Sequence, residues 1–385
     1  MRRMLLALGA ALLLAGQAHA RIAALEMRIA PADFLALNPT NPNRGYSDLI
    51  VHALGVRASA ACKLTSVKVE LLAGGRARLT EDLPIESLVA DTRDLAGQPM
   101  PDAIGAQLLN ATGAAGMFGA PTALATTPDL KPGEALVSIR RHYSVGFAPD
   151  QLRVSAICGR ASAQMLVAVK PYRSPIAYRF PLAGTWLMES VPSGVDSHHR
   201  LNPSTEFASD FFRIDAEGAM FKGDRMDAAA WYGWGQPVGA AADGVVVRVI
   251  ADQVQDRLAF VPQPGETPQA AGQRMEAAGI ARLRANFAAA NAGNLIVIRH
   301  EASGVVEYSA YGHLKPGSVA VKVGDHVTAG QKIAEVGDTG DTPVVHLHFQ
   351  INAGPDPFFD RSLPVAFANL RNVSGAELGR IVAAR

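Results

Sequence analysis

The sequence predicts a mostly β protein of two units, the second interrupted by a helical insertion. Three observations predict it. Short Val-, Ile- and Leu-rich runs such as LTSVKVELLAGG (64–75), EALVSIRRHYSVG (134–146) and QLRVSAICGR (151–160) are broken by Gly, Pro and Asp clusters, with no helical period. The text then changes across the proline-containing stretch YRSPIAYRFPLAG (172–184). Beyond it, only residues 268–290 combine helix-forming composition with apolar residues (Met275, Ile280, Leu283, Phe287) at helical spacing.

Taken in order, the chain opens with MRRMLLALGAALLLAGQAHA. Two arginines, an apolar run too short to span a membrane and the small-residue end Ala18-His19-Ala20 predict a secretory signal peptide over 1–20, cleaved after Ala20. The expectation is an exported protein, periplasmic or secreted, without a membrane span. Removing Arg2 and Arg3 leaves 34 Lys+Arg against 35 Asp+Glu, a formal charge of −1. That balance gives no support to a nucleic-acid partner, which would require a basic face. Cys62 and Cys158 are the two cysteines, and in an oxidising compartment such a pair is expected as one structural disulfide.

Residues 21–171 read as an N-terminal β-sandwich-like domain, with an irregular Ala-, Gly-, Thr- and Pro-rich stretch over 94–132. Its histidines, His52 and His142, stand apart in sequence and read as packing or surface residues. Residues 172–189 read as a linker, 190–370 as a second β domain with its insertion at about 262–291, and 371–385 as a tail. The insertion reads as a capping element or a lid over a substrate groove.

The stretch that carries chemistry is VVHLHFQI (344–351). Alternation at period two puts His346 and His348 on one face of a strand and Leu347 and Phe349 on the other. Alone, an HxH pair reads first as the polar face of a half-exposed strand, since such pairs arise by chance. Its neighbours change the reading. GWGQPVGAAADGVVV, NLIVIRH, YGHL, VKVGDHVTAGQKIAEVGDTG and HLHFQI follow one another from about Gly233 to Ile351. In that order they resemble the catalytic domain of the lysostaphin-like, or LytM-type, zinc endopeptidases that cut peptidoglycan peptides.

The resemblance implies an antiparallel β catalytic domain and a Zn2+ ion. In that family the metal is held by the His and Asp of an H-x-x-x-D motif and by the second His of HxH. Two further histidines serve as acid–base and oxyanion partners. Carried over by position, Asp210 and His348 would be metal ligands, and His313 and His346 the catalytic pair. The chemistry suits these residue types, since zinc acidifies its water and polarises a carbonyl while imidazole moves the proton. This sequence departs from the pattern at the first histidine, where Glu206 stands. Three readings follow. Glu206 joins Asp210 and His348 in a harder ligand set, His198 or His199 supplies the imidazole, or no metal binds.

His300 and His326 read as structural, and Trp231, Tyr232 and Trp234 as core packing. The functional expectation is an exported zinc endopeptidase acting on peptidoglycan peptides. Its rival is a degenerate domain of the same fold that binds or activates a cell-wall enzyme partner. A carrier hammerhead, suggested by VKVGDHVTAGQKIAEV, lacks the turn that would present a modifiable lysine.

Overall fold

The computed structural model describes residues 25–32, 34–37, 47–97, 117–118, 123–189, 198–376 and 379–384. The signal peptide read over 1–20 lies outside them. The N-terminal unit contains β1 (Leu25–Ala30), β2 (Phe34–Leu37), β3 (Ser47–Ala58), β4 (Cys62–Ala73), β5 (Arg76–Asp82), β6 (Ala123–Leu124), β7 (Asp129–Leu130), β8 (Glu134–Val145), β9 (Gln151–Cys158) and β10 (Ala161–Pro171). One sheet runs β1-β3-β8-β6 and the other β2-β10-β9-β4-β5, with β7 paired to β4. Leu49, Leu54, Leu71, Leu152 and Val154 are buried in the core of this unit.

Among the described residues, one helix breaks the all-β expectation. α1 (Ile85–Gly97) follows Pro84, and its Leu88, Val89 and Leu95 are buried. Leu95 meets Ala53 and Val137 of the first sheet, and Asp91 accepts from Ser138 Oγ and the Ile139 amide. With α1 on one side and the second sheet on the other, β3 is buried almost throughout. Its His52 is completely buried. Cys62 and Cys158 form the expected disulfide, with Cα atoms 5.4 Å apart, between the neighbouring strands β4 and β9.

The second unit contains β11 (Thr185–Glu189), β12 (Ser209–Arg213), β13 (Pro237–Gly239), β14 (Gly244–Ile250), β15 (Asn294–Ala302), β16 (Val305–Leu314), β17 (His326–Val327), β18 (Lys332–Glu335), β19 (Leu347–Asn352), β20 (Ser362–Leu363), β21 (Leu370–Ala376) and β22 (Gly379–Ala384). Its main sheet runs β17-β14-β15-β16-β19-β12-β11-β22-β21, with β20 on β19, while β13 and β18 pair separately. Trp186, Phe211, Tyr311, Leu347 and Phe349 are fully buried in its core. Leu347 and Phe349 thus occupy the inward face that the alternation predicts.

Two boundaries differ from the sequence reading. The stretch 172–189 is not a free connector: Tyr178, Phe180 and Leu182 are buried in the second core, and 185–189 forms β11. Within the tail, residues 371–376 and 379–384 are likewise drawn into the sheet, because β22 pairs with β11 and β21 with β22.

The insertion lies between β14 and β15 as α2 (Pro268–Ala285) and α3 (Phe287–Ala292). Thr267 caps α2 by accepting from the Ala270 amide, and Pro268 sits where a missing N–H costs nothing. α2 buries only Ala271, whereas α3 anchors Phe287 against Phe358 and Phe359.

Two measurements test this architecture. Thiol titration of the unfolded, unreduced protein should find no free cysteine, and a Cys62→Ala/Cys158→Ala variant should lose about 2–5 kcal/mol of stability. Replacing α2 by a short glycine-containing turn should preserve a single cooperative thermal transition, because the helix contributes almost nothing to the core.

Candidate metal centre

β12 and β19 run antiparallel with Asp210 directly opposite His348, and β16 lies on the other side of β19 with Gly312 opposite His348. Side chains on paired strands at one register position share a face. The Asp210 carboxylate and the His348 imidazole therefore meet, with His348 Nδ1 3.1 Å from Asp210 Oδ1. The other ring nitrogen of His348 lies 2.7 Å from Gln350 Oε1, which fixes the ring from behind. His346 precedes β19 and is held by its amide, which donates to the Gly337 carbonyl. Its Nε2 lies 3.5 Å from Asp210 Oδ1.

The short 3₁₀ turn His198–Leu201 brings in two more imidazoles. His199 Nε2 is 3.0 Å from Asp210 Oδ2 and His198 Nε2 3.6 Å from the same oxygen. The donor atoms of His198, His199 and Asp210 all lie within 4.8 Å of one another. The rings of His199 and His348 are 4.8 Å apart, edge to face. His199 and Asp210 are buried, whereas the His198 side chain is 65% exposed at the rim.

His313, at the end of β16, takes a positive φ of 58° and points its Nδ1 at the Thr339 carbonyl, 2.7 Å away. A neutral imidazole that donates there keeps Nε2 as an acceptor. His346 makes the same kind of contact through Nδ1 to the Val344 carbonyl at 3.2 Å. The two rings are 4.6 Å apart. A cleft of about 230 Å³ opens beside them, lined by His198, His199, His313, His348, Asn291 and Phe358 among others. The last turn of the insertion, through Asn291 and Ala292, thus forms part of the cleft wall.

Electrostatics follow from this crowding. Burial pushes the Asp210 carboxyl up, but the imidazoles of His199 and His346 outweigh it and hold the group well below the usual carboxylate range. Burial drives His199 down to about 4 and, with His346 and His348 close by, holds His313 well below the usual imidazole range. Burial also opposes charge on His348, yet its bond to Asp210 prevails and raises it. At neutral pH His199 and His313 are therefore uncharged, as a metal ligand and a general base must be.

The structure brings together Asp210, His348, His313 and His346 and corrects the place given to Glu206. Glu206 is buried, and its Oε2 accepts from His52 Nε2 of β3 at 2.9 Å. Its Oε1 faces Arg200 Nη2 at 3.9 Å. A carboxylate engaged in this way is a structural ion-pair member rather than a donor beside Asp210. His199 stands there instead. The sequence reading named His199 only as an alternative, because eleven residues separate it from Asp210 where the family pattern has four. His300 and His326 are structural as expected: His300 is bonded to the Asp243 carbonyl and Ser309, and His326 is exposed. Trp231 is buried in the core.

Residues 266–358 match the family model described as peptidase family M23. The chain contains an M23 domain. Among solved structures, it is similar to the catalytic domain of lysostaphin from Staphylococcus simulans, with 20% identity over 49% of this chain and 88% of that one (TM-score 0.25). A zinc-containing peptidase from Vibrio cholerae is 14% identical over 86% of both chains (TM-score 0.26). The catalytic domain of a prophage-encoded M23 protein, EnpA, from Enterococcus faecalis is 15% identical over 50% of this chain and 91% of that one (TM-score 0.24). No curated protein matches the sequence. The fold of the M23 domain rests on the strand order above rather than on these likenesses. The matched range holds His313, His346 and His348; Asp210 and His199 lie before it.

Gly293 joins α3 to β15 at φ 60°, and a Cβ there would sit 2.3 Å from the carbonyl carbon and oxygen of Thr339. Thr339 is the residue that orients His313. Gly293→Ala should therefore destabilise the M23 domain by about 1–3 kcal/mol and displace His313. The checks are thermal unfolding and any activity the wild type shows, and an unchanged protein on both counts would contradict this role.

Proposed function

We propose that the chain is an exported zinc-dependent endopeptidase that hydrolyses peptide bonds of peptidoglycan. The observation that carries this reading is the buried carboxylate of Asp210, met by His199 on one oxygen and His348 on the other, with His313 and His346 alongside. Two imidazole nitrogens and one carboxylate oxygen are a donor set that suits zinc better than the two-carboxylate set expected from sequence. His199, Asp210 and His348 would hold the ion, with His198 at the open rim. When bound, Zn2+ supplies Lewis acidity towards a scissile carbonyl and lowers the pKa of its water.

The remaining chemistry belongs to the protein. His313 and His346, each tied through Nδ1 to a backbone carbonyl, present Nε2 to accept a proton and return it to the leaving amine. A substrate would reach the site through the cleft that His313 lines together with His198, His199 and His348. The M23 domain supports a peptidoglycan peptide as the substrate class. The near-neutral charge gives no reason to expect nucleic acid, and among the described residues no helix is long and apolar enough to cross a membrane.

Elemental analysis and turnover of a peptidoglycan peptide test the reading together. Wild type should carry one zinc per chain. His199→Ala and His348→Ala should lose the metal and the activity. His346→Ala should keep the metal while turnover falls by about 10²–10⁴-fold. A wild type that binds no zinc and cuts no peptide would instead mark a degenerate module that binds or activates a cell-wall enzyme partner.

A further inference from the structure

The residue that departs from the family pattern, Glu206, marks where the two units grip each other. Glu206 Oε2 accepts from His52 Nε2 at 2.9 Å, and both side chains are buried. Six residues earlier, Arg200 donates through Nη1 to Asp48 Oδ2, and Asp48 is also bonded to His142. Asp48 and His52 lie on β3 and His142 on β8, so every one of these partners belongs to the N-terminal sandwich. Phe207 adds an apolar contact, packed with Phe34 and Ala36 of β2.

The two gripped residues bracket one short turn. Arg200 follows His199 directly, and Glu206 follows Thr205, whose Oγ1 donates to the His199 carbonyl at 2.7 Å. The backbone around His199 is therefore closed on itself and fastened to the sandwich on both sides. The 3₁₀ turn carrying His198 and His199 does not itself lie on a strand, unlike Asp210 on β12 and His348 on β19. The second unit holds only the stretch beyond it, where Gln350 and Asn352 donate to the Ser204 carbonyl and Ser362 to the Pro203 carbonyl.

We propose that the N-terminal sandwich is a positioning element of the M23 site: Asp48 and His52 hold Arg200 and Glu206, and so keep the His199 imidazole against Asp210. Its consequence for metal binding rests on the reading of His199 as a ligand given above. The N-terminal unit then completes the metal site from outside the M23 domain without contributing a ligand. Asp48 and His52 act through His199 and touch neither substrate nor metal.

The test uses the full chain and two readouts. The first is metal-free: the rate at which diethyl pyrocarbonate modifies His199, resolved from His198 by peptide mass spectrometry. The second is the zinc dissociation constant by chelator competition. His52→Leu removes the hydrogen bond to Glu206, and Asp48→Asn removes the charge facing Arg200 at constant volume. Both should expose His199 to rapid modification and weaken zinc by about 10–100-fold, the loss typical of groups that orient a metal ligand. His52→Gln, which keeps a donor near the Nε2 position, should restore protection and affinity towards wild type. Folded His52→Leu and Asp48→Asn proteins with wild-type protection and wild-type zinc affinity would overturn the proposal. A wild type that protects His199 but binds no zinc would overturn the metal reading alone, because the footprint does not depend on metal.

Discussion

The candidate metal centre is organised around the buried carboxylate of Asp210. An ionised Asp210 withdrawn from water is costly unless donors surround it. This fold recruits them from the β12–β19 register, from the segment that leads into β19 and from the turn after residue 197. The register is the strictest of these requirements. Slipping β12 by one residue would turn Asp210 into the core and Phe211 into the cleft, so the apolar pattern of the strand and the chemistry of the site select the same pairing. The inward face of β19, with Leu347 and Phe349 fully buried, selects it again from the other side.

A cluster of this kind is a poor source of stability. Several imidazoles around one carboxylate mean desolvated polar groups that well-packed apolar side chains would replace at lower cost. Functional sites are where such local conflict is retained. The surrounding structure shows how it is contained. Gln350 and the Thr339 and Val344 carbonyls each fix one ring nitrogen, which sets tautomer and direction together. Thr339 is itself secured through Oγ1 to the Leu314 carbonyl, and the preceding Asp338 is bonded to Arg257 at 2.6 Å. Arg257 lies ahead of α2, so the segment leading into the insertion braces the loop that orients His313.

The strand half of this arrangement was legible in the sequence because period-two alternation is a local signal. HLHF states which face each residue takes, and YGHL places His313 at a strand end. The disulfide was legible from the cysteine count and the inferred compartment. The place of Glu206 was not. Its partner His52, and the Asp48 that holds the nearby Arg200, lie more than 150 residues away on a strand whose own pattern shows only burial. His199 was visible as the HHR triplet, but nothing local brings it to Asp210; that depends on a turn fastened to another unit. α1 was hidden by the Ala- and Gly-rich text that follows it. β11 and β22 were hidden because short strands of five and six residues carry little pattern of their own.

The account's central claim is that His199, and not Glu206, stands with Asp210 and His348 around the metal. An anomalous difference map at the zinc edge, from crystals of the full chain grown with zinc, tests it most directly. The account predicts one peak bounded by His199 Nε2, the Asp210 carboxylate and His348 Nδ1, with Glu206 still bonded to His52. A peak ligated by Glu206, or no peak between Asp210 and His348, would contradict it.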